Sequence, residues 1–130
     1  VKGLDTNVLV RFIVGDDEAQ AKRAGRYIER HCTAESPCFL NRVVLCELAW
    51  VLDRAYGYNR EDIGMAFENI LRTAEFQVED SDAAWAAWRA HRDGGDFADA
   101  LIARTNRDNG CEVTGTFDGP AAKSEGFEPI

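Results

Sequence analysis

The chain has 130 residues, 45% apolar and 29% charged, which suits one globular domain spanning residues 1–130. Its formal net charge is −8, from 15 basic and 23 acidic side chains, which argues against a uniformly basic nucleic-acid clamp. No apolar run approaches the ~20 residues of a membrane span and no stretch resembles a secretion signal, so the expected compartment is the cytosol, with no membrane partner.

Val1–Leu4 reads as a short extended segment ending at Asp5, and Thr6-Asn7 opens an apolar helical turn through Ile13. Asp16-Asp17-Glu18 starts a second helix to about His31, with acids in its first turn and Arg26, Arg30 and His31 in its last, as the helix dipole favours. Cys38-Phe39-Leu40 reads as a buried strand, and Val44 to Tyr56 as a helix with a wide apolar face. Asn59 caps a further helix carrying Ile63, Phe67, Ile70 and Leu71 at helical spacing. Phe76-Gln77-Val78 is the next strand. Ser81 or Asp82 starts a helix through Trp85, Trp88 and His91, and Asp96 starts another to Asn109. Glu112-Val113-Thr114 is a strand leading to Thr116-Phe117-Asp118, and a helical turn and Phe127–Ile130 follow. This alternation predicts an α/β fold with a mostly parallel sheet, whose ligands bind beyond the C-terminal ends of the strands.

Twelve of the fifteen basic residues are arginine, the type suited to bidentate phosphate contact. Cys32, Cys38, Cys46 and Cys111 form no C-x-x-C pair and lack histidines at zinc-ligand spacing, so ordinary thiols are expected. Trp85 and Trp88, three apart on one helix, suit packing better than a base-stacking platform, and Trp50 is a candidate contact in a subunit interface.

Four acids lie in or beside apolar stretches: Asp5, Glu47, Asp99 and Asp118. Carboxylates gathered in such surroundings repel one another unless a cation is present. Mg²⁺ or Mn²⁺, bound by carboxylate oxygens and waters, fits that set, and phosphodiester hydrolysis by a metal-activated water is the chemistry that follows. Each acid also has a structural alternative. Asp5 and Asp118 suit turns or caps, Glu47 a solvated helix edge, and Asp99 a capping box with Asp96, itself read chiefly as an N-cap.

The segments carrying these acids resemble, in order, the four motifs of PIN-domain nucleases: Leu4-Asp5-Thr6-Asn7-Val8-Leu9, then Glu47 within Val44-Leu45-Cys46-Glu47-Leu48, then Asp96-Phe97-Ala98-Asp99-Ala100-Leu101-Ile102-Ala103, then Thr116-Phe117-Asp118 with Gly126-Phe127 beyond. After Asp118, Gly119-Pro120-Ala121 stands where that family more often carries a basic or polar pair. The resemblance implies a three-layer PIN-like sandwich around a central five-stranded, mostly parallel sheet. It implies Mg²⁺ or Mn²⁺ held by Asp5, Glu47, Asp99 and Asp118, with Asn7, Thr116 and Asp96 supporting them. It implies an endoribonuclease leaving a 5′ phosphate. A compact chain of this kind is similar to VapC-type toxins, which implies a homodimer and a VapB-type antitoxin that covers the acidic cleft, with DNA engaged only through the antitoxin. Arg11, Arg42, Arg104 and Arg107 lie near the motifs and are the candidate RNA contacts. Two other readings remain: a non-catalytic α/β interaction module, and an aspartate-based phosphotransfer domain, which the scarcity of lysines (Lys2, Lys22, Lys123) disfavours.

Overall fold

The computed structural model describes residues 1–130. Helix α1 spans Thr6–Val14 and α2 Glu18–His31; they form an antiparallel pair that turns at Gly15. Gly15 sits at φ 69 and donates its N–H to the Arg11 carbonyl, a left-handed cap that costs glycine little. Strand β1 (Cys38–Leu40) leads into α3 (Arg42–Arg54), and α4 (Arg60–Arg72) leads into strand β2 (Phe76–Val78). Then come α5 (Ser81–Arg92), α6 (Phe97–Asp108), strand β3 (Thr114–Thr116), the single turn α7 (Gly119–Ala122) and strand β4 (Phe127–Pro129).

All strand pairing is parallel. β1 pairs with β2, placing Cys38 opposite Phe76, and β3 pairs with β4, placing Thr114 opposite Phe127. Residues 2–4 run along the other edge of β1, through a bridge between Gly3 and Phe39 and the bonds Leu4 N–H to Phe39 O and Phe39 N–H to Lys2 O. Five extended segments are therefore present, hydrogen-bonded as a group of three and a group of two rather than as one continuous sheet. The segments are three residues long, so few ladder bonds are available and helices carry most of the packing.

The core is one cluster in which Leu9, Leu40, Leu45, Leu48, Leu52 and Leu101 are buried. Helix α3 packs on α1 and α6, and α5 on α4 and α6. Phe67 of α4 stacks on Phe97 of α6 with ring centroids 4.0 Å apart. Trp88 donates its indole N–H to the Gly64 carbonyl at 2.9 Å and meets Trp85 edge to face, so this pair joins α5 to α4. No helix is long and apolar enough to cross a membrane.

Two details differ from the sequence pattern, the start of β3 and the state of two cysteines. β3 begins at Thr114 rather than Glu112, with Gly115 where a Cβ would come within 3.0 Å of the Ile130 side chain. Helix α5 starts at Ser81 as the sequence indicates, capped by Asp80 at the unusual φ of 52, its carboxylate accepting from Ala83 N–H. Cys32 and Cys38 are joined by a disulfide that ties the end of α2 to β1, leaving only Cys46 and Cys111 as thiols. The bond is uncommon in the reducing compartment the sequence suggests.

Candidate active site

Asp5 closes the extended segment 2–4 and caps α1, its Oδ1 accepting the Thr6 N–H at 2.8 Å. Thr6, buried at the first position of the helix, donates its hydroxyl to Glu47 Oε1 of α3 at 3.1 Å. One residue thus links the first two acidic segments. Asp96 caps α6 through the Asp99 N–H at 2.8 Å. Asp118, two residues beyond β3, caps α7 through the Ala121 N–H at 3.0 Å and gives its own N–H to Thr116 Oγ1 at 3.0 Å. Asp5, Asp96 and Asp118 therefore each stand at a helix start, where unpaired N–H groups favour a negative charge.

Burial pushes the Asp99 carboxyl above its ordinary value, and the Asp96 and Asp118 carboxylates push it further. Asp96, Asp99 and Asp118 thus feel one another's charge, while Asp5 and Glu47 are linked through Thr6. Cys46, next to Glu47, is pushed up to about 11, first by burial, then by Asp96 and Asp99 against the opposing pull of Arg42. Burial thus favours its neutral thiol form. Arg60 of α4 holds the turn before Asp96, donating to the carbonyls of His91 (2.9 Å) and Gly95, while the His91 ring bonds the Arg60 carbonyl at 2.9 Å.

No three Asp, Glu, His or Cys side chains converge tightly enough to make a ready-formed ion cage. The donor set nevertheless suits a hard divalent cation, because it is all carboxylate oxygen and Asp99 already feels uncompensated negative charge. None of Asp5, Glu47, Asp96, Asp99 and Asp118 forms an ion pair, whereas Asp16, Glu18, Glu68, Glu79, Asp80, Asp93 and Asp108 all do.

Asn7 faces a cleft of about 700 Å³ between α1 and α2, shared with Asp5, Arg11, Arg23 and Tyr27. Three of the four arginines singled out by position have partners within the protein. Arg11 bonds Gln20, Asp16 and the Tyr56 hydroxyl. Arg42 bonds both Glu79 oxygens through its N–H groups and Thr105 through Nη1. Arg104 is paired with Asp108 one turn on. Arg107 is exposed and forms no ion pair, but it lines a different hollow, with Thr114 and Glu125. The motifs gave no role to Thr6 or Arg23. Thr6 is the only hydroxyl in the Leu4–Val10 run, which is the one sequence sign that it does more than fill space.

The PIN domain family model matches residues 3–123, a span that holds all four carboxylates. The chain belongs to the PIN-domain family. A VapC ribonuclease of Aquifex aeolicus (strain VF5) is 33% identical over 79 residues, covering 61% of this chain. The match spans 58% of that relative's own length. No solved structure matches the chain. The PIN assignment agrees with the order of the four acidic segments and with the exclusively parallel strand pairing.

Proposed function

We propose that this PIN domain is a Mg²⁺- or Mn²⁺-dependent endoribonuclease acting as the VapC-type toxin of a toxin–antitoxin pair, with Asp5, Glu47, Asp99 and Asp118 holding the cation. The observation that carries this reading is the PIN domain match over residues 3–123, which takes in all four acids in motif order. The likeness to a VapC ribonuclease supports the choice of RNA.

The bound cation would supply a hydroxide nucleophile at neutral pH and neutralise charge on the phosphate oxygens. The chain's own residues do the rest. Thr6 fixes the Glu47 carboxylate, Asp96 fixes the backbone at Asp99, and Thr116 fixes the backbone at Asp118. Asn7 lies in the cleft beside Asp5, where its amide can hydrogen-bond a sugar or phosphate oxygen. Joining segment 2–4 to β3 in one five-stranded sheet would bring the two groups of acids together. The same reading gives a VapB-type antitoxin as inhibitor, DNA contact through that partner alone, and a homodimer. Val43, Trp50 and Ile102, exposed on α3 and α6, offer the dimer an apolar face.

The experiment is cleavage of a structured RNA panel by purified, antitoxin-free protein with Mn²⁺, with chelator, and with the Asp5→Asn variant. Cleavage that needs metal and disappears in the variant supports the nuclease. A folded protein with no cleavage and no Mn²⁺-induced stabilisation is an interaction module instead.

A further inference from the structure

A polyanion must approach Asp5 and its neighbours against a net charge of −8. The arginines nearest the motifs do not solve this, because Arg11, Arg42 and Arg104 are held by Asp16, Glu79 and Asp108. Helix α2 offers a different set. Arg23, Arg26, Tyr27 and Arg30 follow the spacing i, i+3, i+4, i+7, which places them on one stripe of the helix. All four are exposed, and none of the three guanidinium groups forms an ion pair. Buried Ala24 and Ile28 lie to one side of the stripe. The helix's own acids, Glu18 and Glu29, lie on the other side, where Glu18 pairs with Lys22 and Glu29, three residues beyond Arg26, forms no ion pair. With three arginines against Glu29 at its flank, the stripe keeps a net positive charge. It also leads somewhere: Arg23 and Tyr27 line the same 700 Å³ cleft as Asp5 and Asn7. Tyr27 stands between arginines with one side of its ring against His31 at 4.5 Å.

We propose that the Arg23–Arg26–Tyr27–Arg30 stripe of α2 is the track that binds single-stranded RNA and feeds it to the carboxylate site, arginines on phosphates and Tyr27 stacked on a base. This rests on the ribonuclease reading. Interleaved arginine and aromatic side chains along one groove are the chemistry of sequence-tolerant single-strand binding. An acidic protein segment would use the charges but has no base for the ring, and the cleft opens directly onto Asp5.

The test is fluorescence anisotropy with fluorescein-labelled oligouridylate across a salt series, in chelator so that nothing is cut. The parent is compared with Arg23→Ala/Arg26→Ala/Arg30→Ala, Tyr27→Ala and Tyr27→Phe, each checked for an unchanged melting temperature. Removing three phosphate contacts lowers the slope of log K against log salt by about 2 and weakens binding at least tenfold at low salt. Tyr27→Ala weakens binding about fivefold or more, and Tyr27→Phe binds as the parent does. A triple variant with the parent's affinity and slope overturns the track and leaves the stripe to a protein partner. A parent that binds no oligouridylate overturns it too. The Mn²⁺-induced melting shift of the parent reads the carboxylate site separately. Loss of that shift with arginine-dependent RNA binding intact removes the nuclease and keeps the track.

Discussion

The Thr6 hydroxyl lies 3.1 Å from Glu47 Oε1, joining the first turn of α1 to the middle of α3 across 41 residues of sequence. Thr6 is buried, so its hydroxyl holds one carboxylate oxygen in place and leaves the other open to a cation. Thr6→Val keeps the shape and removes the donor. It is expected to weaken Mn²⁺ affinity and RNA cleavage by about 10–100-fold, the usual cost of losing a residue that orients a metal ligand. Thr6→Ser should restore most of both. A titration of the Mn²⁺-dependent melting shift separates this from general destabilisation, because a merely structural role would lower the metal-free melting point and leave the affinity unchanged.

Asp99 gives a prediction of opposite sign for stability and for metal. Its carboxyl is held above the ordinary 3.8 by burial and by the Asp96 and Asp118 carboxylates. The native state therefore keeps this proton more readily than the unfolded chain. The associated stability is present in acid and is lost as pH rises from the ordinary value through the raised one. Asp99→Asn is thus expected to melt above the parent at neutral pH in chelator, with the gap closing on acidification. The same variant should lose the Mn²⁺-induced shift. Thermal melts at several pH values, with and without metal, check both halves.

What was legible in the sequence follows from how locally each feature is determined. Caps at Asp17, Asn59 and Asp96 are short-range chemistry, and each helix starts where its cap predicts. Asn41 caps α3 through the Val44 N–H at 2.9 Å, so that helix starts at Arg42, ahead of Val44 where its apolar face suggests a start. The acids showed themselves because charge inside an apolar run needs a reason. Which arginines are free was not legible, since Arg42 is bound to Glu79, 37 residues away. The five-stranded sheet is what local sequence settles least: Gly115 interrupts the β-branched Thr114 and Thr116, and no local pattern sets their register against Phe127–Pro129.

Arg42 illustrates the distinction between structural and RNA-facing arginines. It ties α3 to the turn before α5 and to α6 through Glu79 (2.9 Å), Asp80 (3.8 Å) and Thr105. Arg42→Ala is expected to cost about 1–2 kcal/mol, discounted for the partial exposure of all the charged partners, and so to lower the melting temperature by several degrees. It should leave the salt slope of oligouridylate binding unchanged. A reduced slope without destabilisation would place Arg42 on the RNA instead.

The Cys32–Cys38 bond closes a loop of six residues' separation between α2 and β1, and both cysteines are buried. Closing so short a loop restricts the unfolded chain by about 2 kcal/mol on the chain-entropy account. Non-reducing mass spectrometry of protein purified with thiols blocked should find this pair oxidised and Cys111, the exposed thiol, alkylated. Dithiothreitol, or Cys32→Ala with Cys38→Ala, should then lower the melting temperature by several degrees while Mn²⁺ still produces its shift, because the bond lies at the opposite end of α2 from the α1–α2 turn and joins none of the motif acids. The α2 stripe runs up to this bond, with Arg30 two residues before Cys32. If reduction lowers the affinity for oligouridylate without changing the melting temperature, the bond orients the stripe rather than stabilising the fold.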